Sequence, residues 1–120
     1  IAMFGLDITN HAPLQRPLFD RIVAAKTPLT QLMLDDMGPR FDANPTATYQ
    51  VWDCITAAWL IDPTIVTVSE RLPIVVETTF GPTYGGTSVG VRSTAPTLDV
   101  MLDLDVETFF GIYEGLLTQR

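Results

Sequence analysis

The apolar positions along the chain follow two rhythms, one near 3.6 residues and one of 2, and each change of rhythm marks an element. Ile1 to Ile8 is largely apolar and predicts a short buried strand that enters a loop at Thr9-Asn10-His11-Ala12-Pro13. Pro17 opens a helix whose Leu18, Phe19, Ile22 and Val23 recur at helical spacing. Thr27 as cap and Pro28 at the first position start a second helix. Leu29, Leu32 and Met33 are expected to face inward there, and the helix is expected to end near Gly38-Pro39. A polar loop, Arg40 to Thr48, leads to a third helix over Tyr49 to Ile61, with Trp52, Ile55 and Trp59 on one face. Asp62-Pro63 ends it, because a residue before proline avoids the helical region.

Past Pro63 the rhythm becomes 2. Thr64 to Val68 is β-branched, and Leu72, Ile74, Val76 and Thr78 alternate with Pro73, Val75 and Glu77. Gly81, Pro82, Gly85 and Gly86 mark a turn, after which Val89 and Val91 alternate again. Leu98, Val100, Leu102 and Leu104 alternate with Asp99, Met101, Asp103 and Asp105, the pattern of a half-buried strand. Asp105 can cap a last helix with the stripe Val106, Phe109, Phe110, Tyr113, Leu116 and Leu117. The order strand, three helices, several strands, helix predicts an α/β fold in a single unit over residues 1–120.

Composition narrows what such a unit does. Charged residues are 18% of the chain, below the usual ~25%, and mean hydropathy is +0.25. Some apolar surface is therefore expected to be covered by a further portion of the same polypeptide or by an oligomer partner. The net charge is −7 and the seven basic residues are scattered, which argues against a nucleic-acid partner held through phosphates. One cysteine, Cys54, makes no internal disulfide framework and no cysteine-rich zinc site. No apolar run approaches the ~20 residues that span a bilayer, so no membrane partner is expected. No secretory signal is legible, and the compartment stays open.

The stretch Tyr49 to Pro63, reading Tyr-Gln-Val-Trp-Asp-Cys-Ile-Thr-Ala-Ala-Trp-Leu-Ile-Asp-Pro, carries the chemistry. It resembles the late helix of the nucleoside hydrolase family, where an aromatic or His residue precedes an Asp and a small-residue helix ends in Asp-Pro. Pyrimidine-tolerant members carry His-Asp at that place, and the purine-specific branch carries Trp-Asp, as Trp52-Asp53 does here. Gly5 to Asn10 resembles the family's strand and loop after the central region. Val75 to Thr78 through Gly85-Gly86-Thr87 resembles its β-hairpin, and Asp99-Val100 through Phe109-Phe110 its closing strand and helix. The implied fold is the C-terminal portion of an open, mostly parallel sheet with flanking helices and a β-hairpin excursion.

The resemblance implies hydrolysis of the N-glycosidic bond of a ribonucleoside at a calcium ion held mainly by carboxylates. Asp53 would be one calcium ligand, and a carboxylate in a first helical turn suits the helix dipole even without a metal. Trp52 would stack on the purine leaving group, against the simpler reading that it shares a core face with Ile55 and Trp59. Tyr49, one turn earlier, would close the base pocket. His11, the single histidine, reads as a loop residue with no catalytic partner in reach, Cys54 as a small buried residue, and Trp59 as core. Asp99, Asp103 and Asp105 read as a solvated strand face.

Two parts of the family pattern have no counterpart in these 120 residues. One is the Asp-x-Asp-x-x-x-Asp-Asp stretch that supplies most calcium ligands; the other is the Glu/Asn segment that binds the ribose hydroxyls. Asp53 alone cannot meet calcium's demand for six to eight oxygens. The expectation is therefore an enzyme segment that is inactive as an isolated 120-residue chain. The alternative is a non-catalytic ligand-binding or assembly module of the same fold.

Overall fold

A computed structural model describes residues 1–90 and 96–119. Strand β1 (Ala2–Phe4) is shorter than the run that suggested it, because the chain turns at Gly5 into a one-turn helix α1 (Leu6–Thr9). Strand β2 (Pro13–Gln15) and helix α2 (Arg16–Val23) follow, with Phe19 and Ile22 buried. Helix α3 (Pro28–Ala43) starts as expected: the Thr27 side chain accepts from the Thr30 amide, while Thr30 Oγ1 accepts from the Thr27 amide at 2.9 Å.

Helix α3 departs from the pattern in two ways. It does not stop at Gly38-Pro39 but continues through Pro39 to Ala43. Proline removes one hydrogen bond from the ladder, and the fully buried Phe41, its ring 4.8 Å from Phe19, anchors the extra turn. Its inward face is Thr30, Met33, Gly38 and Phe41, whereas Leu29 and Leu32 are exposed. The polar loop shrinks accordingly. Strand β3 (Thr48–Gln50) then pairs antiparallel with β2, Leu14 opposite Tyr49. Tyr49 thus lies on a strand and not in the first turn of a helix. Helix α4 (Trp52–Ile61) begins three residues later and ends at Asp62, whose carboxylate caps the 3-10 turn Pro63–Ile65.

The remaining strands are β4 (Val66–Val76), β5 (Thr87–Val89) and β6 (Thr97–Leu104), followed by helix α5 (Val106–Thr118). The main sheet has the order β1-β6-β4-β5. The fold is α/β, as expected, and the sheet carried by this chain is mixed: β1 runs parallel to β6, while β4 runs antiparallel to both β6 and β5. Gly85, at φ 81°, serves the loop between β4 and β5. Val91 lies outside the described residues.

The half-buried pattern expected for β6 does not hold at its centre, where Val100 and Met101, on opposite faces, are both buried. Met101 joins Leu104, Ile55, Ile65 and Phe109 in the core beneath the helices. Val100 and Leu102 instead line a cleft of about 470 Å³ with Met3, Leu72 and Ile74. A β-bulge where Val66 to Ser69 meet β6 shifts the register, so strict alternation fails near Leu104. In α5, Phe109 is fully buried, while Leu116 is half-exposed.

The radius of gyration is 17.3 Å, against about 14 Å for a compact chain of this length. Much of the β4–β5 arm is open to solvent, including Val75, Val76, Phe80, Tyr84 and Val89. No helix among the described residues is long and apolar enough to cross a membrane.

Candidate functional site

Strands β1 and β6 run parallel, with Phe4 at the end of β1 opposite Met101 and β6 continuing to Leu104. In open α/β sheets ligands bind beyond the carboxyl ends of parallel strands. Helix α1 starts there, and Asn10 is its C-cap. Across the chain, the Trp52 indole Nε1–H donates to Asn10 Oδ1 at 2.9 Å. This bond brings the start of α4 to the carboxyl edge of β1.

Helix α4 has an unusual beginning. Its N-cap, Val51, is buried and offers no side-chain acceptor to the first turn. Asp53 supplies the negative charge that this end of a helix favours. Asp53 is exposed and enters no ion pair among the described residues. Trp52 and Ile55 do not share one environment: Ile55 is fully buried, whereas the Trp52 side is 45% exposed. Trp52 therefore does not share the buried face of Ile55 among the described residues. Trp59 is the core-side indole, meeting Phe4 edge to face at 5.6 Å.

Tyr49 is half-buried on β3. Its ring lies 5.3 Å from Phe41, and the Arg40 guanidinium sits 4.7 Å from its centroid. It does not stand one helical turn before Trp52, since no helix links them. His11 is exposed and borders a groove of about 340 Å³ with Leu18, Arg21 and Phe110. Cys54 is half-buried; burial and then the Asp53 charge push its thiol pKa up.

The acidic trio on the strand side separates. Asp99 lies 3.4 Å from the Arg71 guanidinium, and Asp103 accepts from the Leu104 amide. Asp105 leaves the strand to cap α5, accepting from the Thr108 amide and hydroxyl, which hold its pKa down. Among the described residues no group of three or more His, Cys, Asp or Glu side chains is placed to hold a metal ion. Asn10 is the site residue that sequence reasoning passed over. It stood within the Gly5 to Asn10 stretch, but nothing local pairs it with an indole 42 positions away.

Several solved structures with this architecture are described as nucleoside hydrolases. An inosine-guanosine nucleoside hydrolase superposes with a TM-score of 0.83 at 16% identity, over 99% of this chain and 39% of its own. A plant nucleoside hydrolase gives 0.83 at 14%, over 100% and 42%. The purine-preferring ribonucleoside hydrolase of Gardnerella vaginalis gives 0.67 at 22%, over 98% and 40%. This chain therefore spans about two fifths of the length of these structures. No curated protein is significantly similar to it in sequence. The profile of the family described as inosine-uridine preferring nucleoside hydrolase matches residues 1–111, and the chain belongs to that family.

Proposed function

We propose that Trp52 and Asp53 are this chain's contribution to the active site of a nucleoside hydrolase that cleaves purine ribonucleosides to base and ribose. The observation that carries the reading is the exposed Trp52-Asp53 pair at the start of α4, tied through Asn10 to the carboxyl edge of β1. The open indole face offers a stacking surface, worth about 1–3 kcal/mol per base on comparable platforms. Stacking on the leaving purine makes a ring nitrogen more basic, so the base departs neutral as the glycosidic bond lengthens. The sugar then carries oxocarbenium character, and water attacks the anomeric carbon. Two similar structures described as inosine-guanosine and purine-preferring hydrolases support the purine side. The family's own description names uridine as well as inosine.

The family reading also brings calcium, whose chemistry when bound is to orient the sugar hydroxyls and acidify a water. Asp53 fits as one ligand, since its carboxylate is exposed and forms no ion pair among the described residues. Among the described residues no group of three or more His, Cys, Asp or Glu side chains completes the ligand set. The reading therefore requires ligands from outside this chain and predicts no turnover by the 120 residues alone. Tyr49 would help close the base pocket as a substrate-binding residue.

The test uses the intact protein and inosine, guanosine and uridine. Trp52→Ala is expected to lower purine turnover more than uridine turnover, and Asp53→Ala to remove most activity with folding retained. Normal inosine turnover by both variants refutes the reading. Purine binding without any turnover by the intact protein would favour the non-catalytic module.

A further inference from the structure

We propose that Asn10 is a positioning residue that sets the plane of the Trp52 indole; the inference rests on Trp52 being the base platform. Trp52, at the first position of α4, is 45% exposed, and its two side-chain torsions decide where the ring faces point. Stacking is productive only when the ring presents a face to the base. The indole has one polar atom, a donor, and a single acceptor at its edge restrains the ring plane. Asn10 Oδ1 is that acceptor, at 2.9 Å. The N–H lies in the ring plane, so the bond leaves the π faces open.

Asn10 is itself delivered from a fixed backbone. Helix α1 is pinned by Ile8 and Thr9, which are 0% and 3% exposed. The Thr9 hydroxyl donates to the Gly5 carbonyl at 3.1 Å, and the Asn10 amide donates to the Leu6 carbonyl at 3.1 Å. The side-chain amide thus reaches the indole from an element seated in the core, 42 residues away in sequence. With Oδ1 committed to the indole, the amide keeps its two N–H donors for other partners.

The experiment combines kinetics and spectroscopy on the intact protein. Asn10→Ala is expected to lower kcat for inosine by about fivefold, the rate equivalent of one neutral hydrogen bond. It should lower kcat less for p-nitrophenyl riboside, whose phenolate leaves without help from a stacked ring. In a Trp52→Phe background, which lacks the N–H, Asn10→Ala should add nothing further. With 15N-labelled tryptophan, the indole signal lost in Trp52→Phe should shift in Asn10→Ala and exchange faster with water. An unshifted signal, or independent additive losses in the double variant, overturns the proposal. Wild-type inosine turnover by Asn10→Ala alongside impaired Trp52→Ala overturns the positioning role and leaves the platform standing. Wild-type turnover by Trp52→Ala removes the platform and the inference together.

Discussion

The Arg40 guanidinium lies 4.7 Å from the centre of the Tyr49 ring, whose neighbour at 5.3 Å is Phe41. The tyrosine is thereby held between a cation at the end of α3 and the core. Its ring, more than its hydroxyl, does the holding. Tyr49→Phe is expected to leave stability within about 0.5 kcal/mol, and Tyr49→Ala to cost about 2 kcal/mol. Chemical denaturation of the intact protein measures both. A large change in purine KM for Tyr49→Phe at unchanged stability would instead assign the hydroxyl to the base.

Thr27 is 6% exposed and links two helices. Its hydroxyl accepts from the Thr30 amide at 3.2 Å and lies 3.2 Å from the Leu117 carbonyl of α5. Thr27→Ala leaves these partners unpaired and should cost about 1–2 kcal/mol. Thr27→Ser should recover most of it, read from the denaturation midpoint. Equal midpoints for Ala and Ser would exclude the cap as the cause.

Asp62 and Asp105 are held below the usual carboxylate pKa by Thr64 and Thr108, whose hydroxyls and amides donate to them. Glu77 is held down by the Thr79 amide and Glu114 by the Arg21 guanidinium. Each group binds its proton more weakly when folded than when unfolded. Their contribution is present above about pH 4 and is lost as the pH falls through the folded values. The melting temperature should therefore decline below about pH 4, and Asp105→Asn should make that decline shallower. A melting temperature constant from pH 7 to pH 2.5 would contradict the assignment.

Calcium dependence follows from the role proposed for Asp53. Chelation should abolish turnover by the intact protein, and added calcium should restore it. Asp53→Asn removes a charge from the ion's ligand set and should raise the calcium concentration needed by about tenfold or more. Calorimetric titration measures that affinity independently of turnover. Identical calcium affinities in Asp53→Asn and wild type would take Asp53 out of the metal site.

Local signals were readable in advance. Thr27-Pro28 and Asp105 start α3 and α5 because an N-cap acts on amides within three residues of itself. Asp62-Pro63 ends α4 for an equally local reason. The Trp52-Asp53 pair was legible as a motif, although Tyr49 was assigned to the wrong element. What misled was distance. Pro39 lies inside α3 because Phe41 packs against Phe19, more than twenty positions earlier. Leu29 and Leu32 carry the pattern of an inward face, yet they remain 49% and 64% exposed.

The sequence by itself determined the α/β class, the starts of α3 and α5 and the Trp52-Asp53 pair, since short-range hydrogen bonding and residue periodicity act along the chain. Tertiary structure decided which face of β6 meets the helices, where a bulge breaks the alternation. It also decided that Trp52 is exposed while Trp59 packs on Phe4, and that Asn10 accepts the Trp52 indole proton. Those outcomes depend on groups brought together only by folding, and no repeat of 2 or 3.6 residues encodes them.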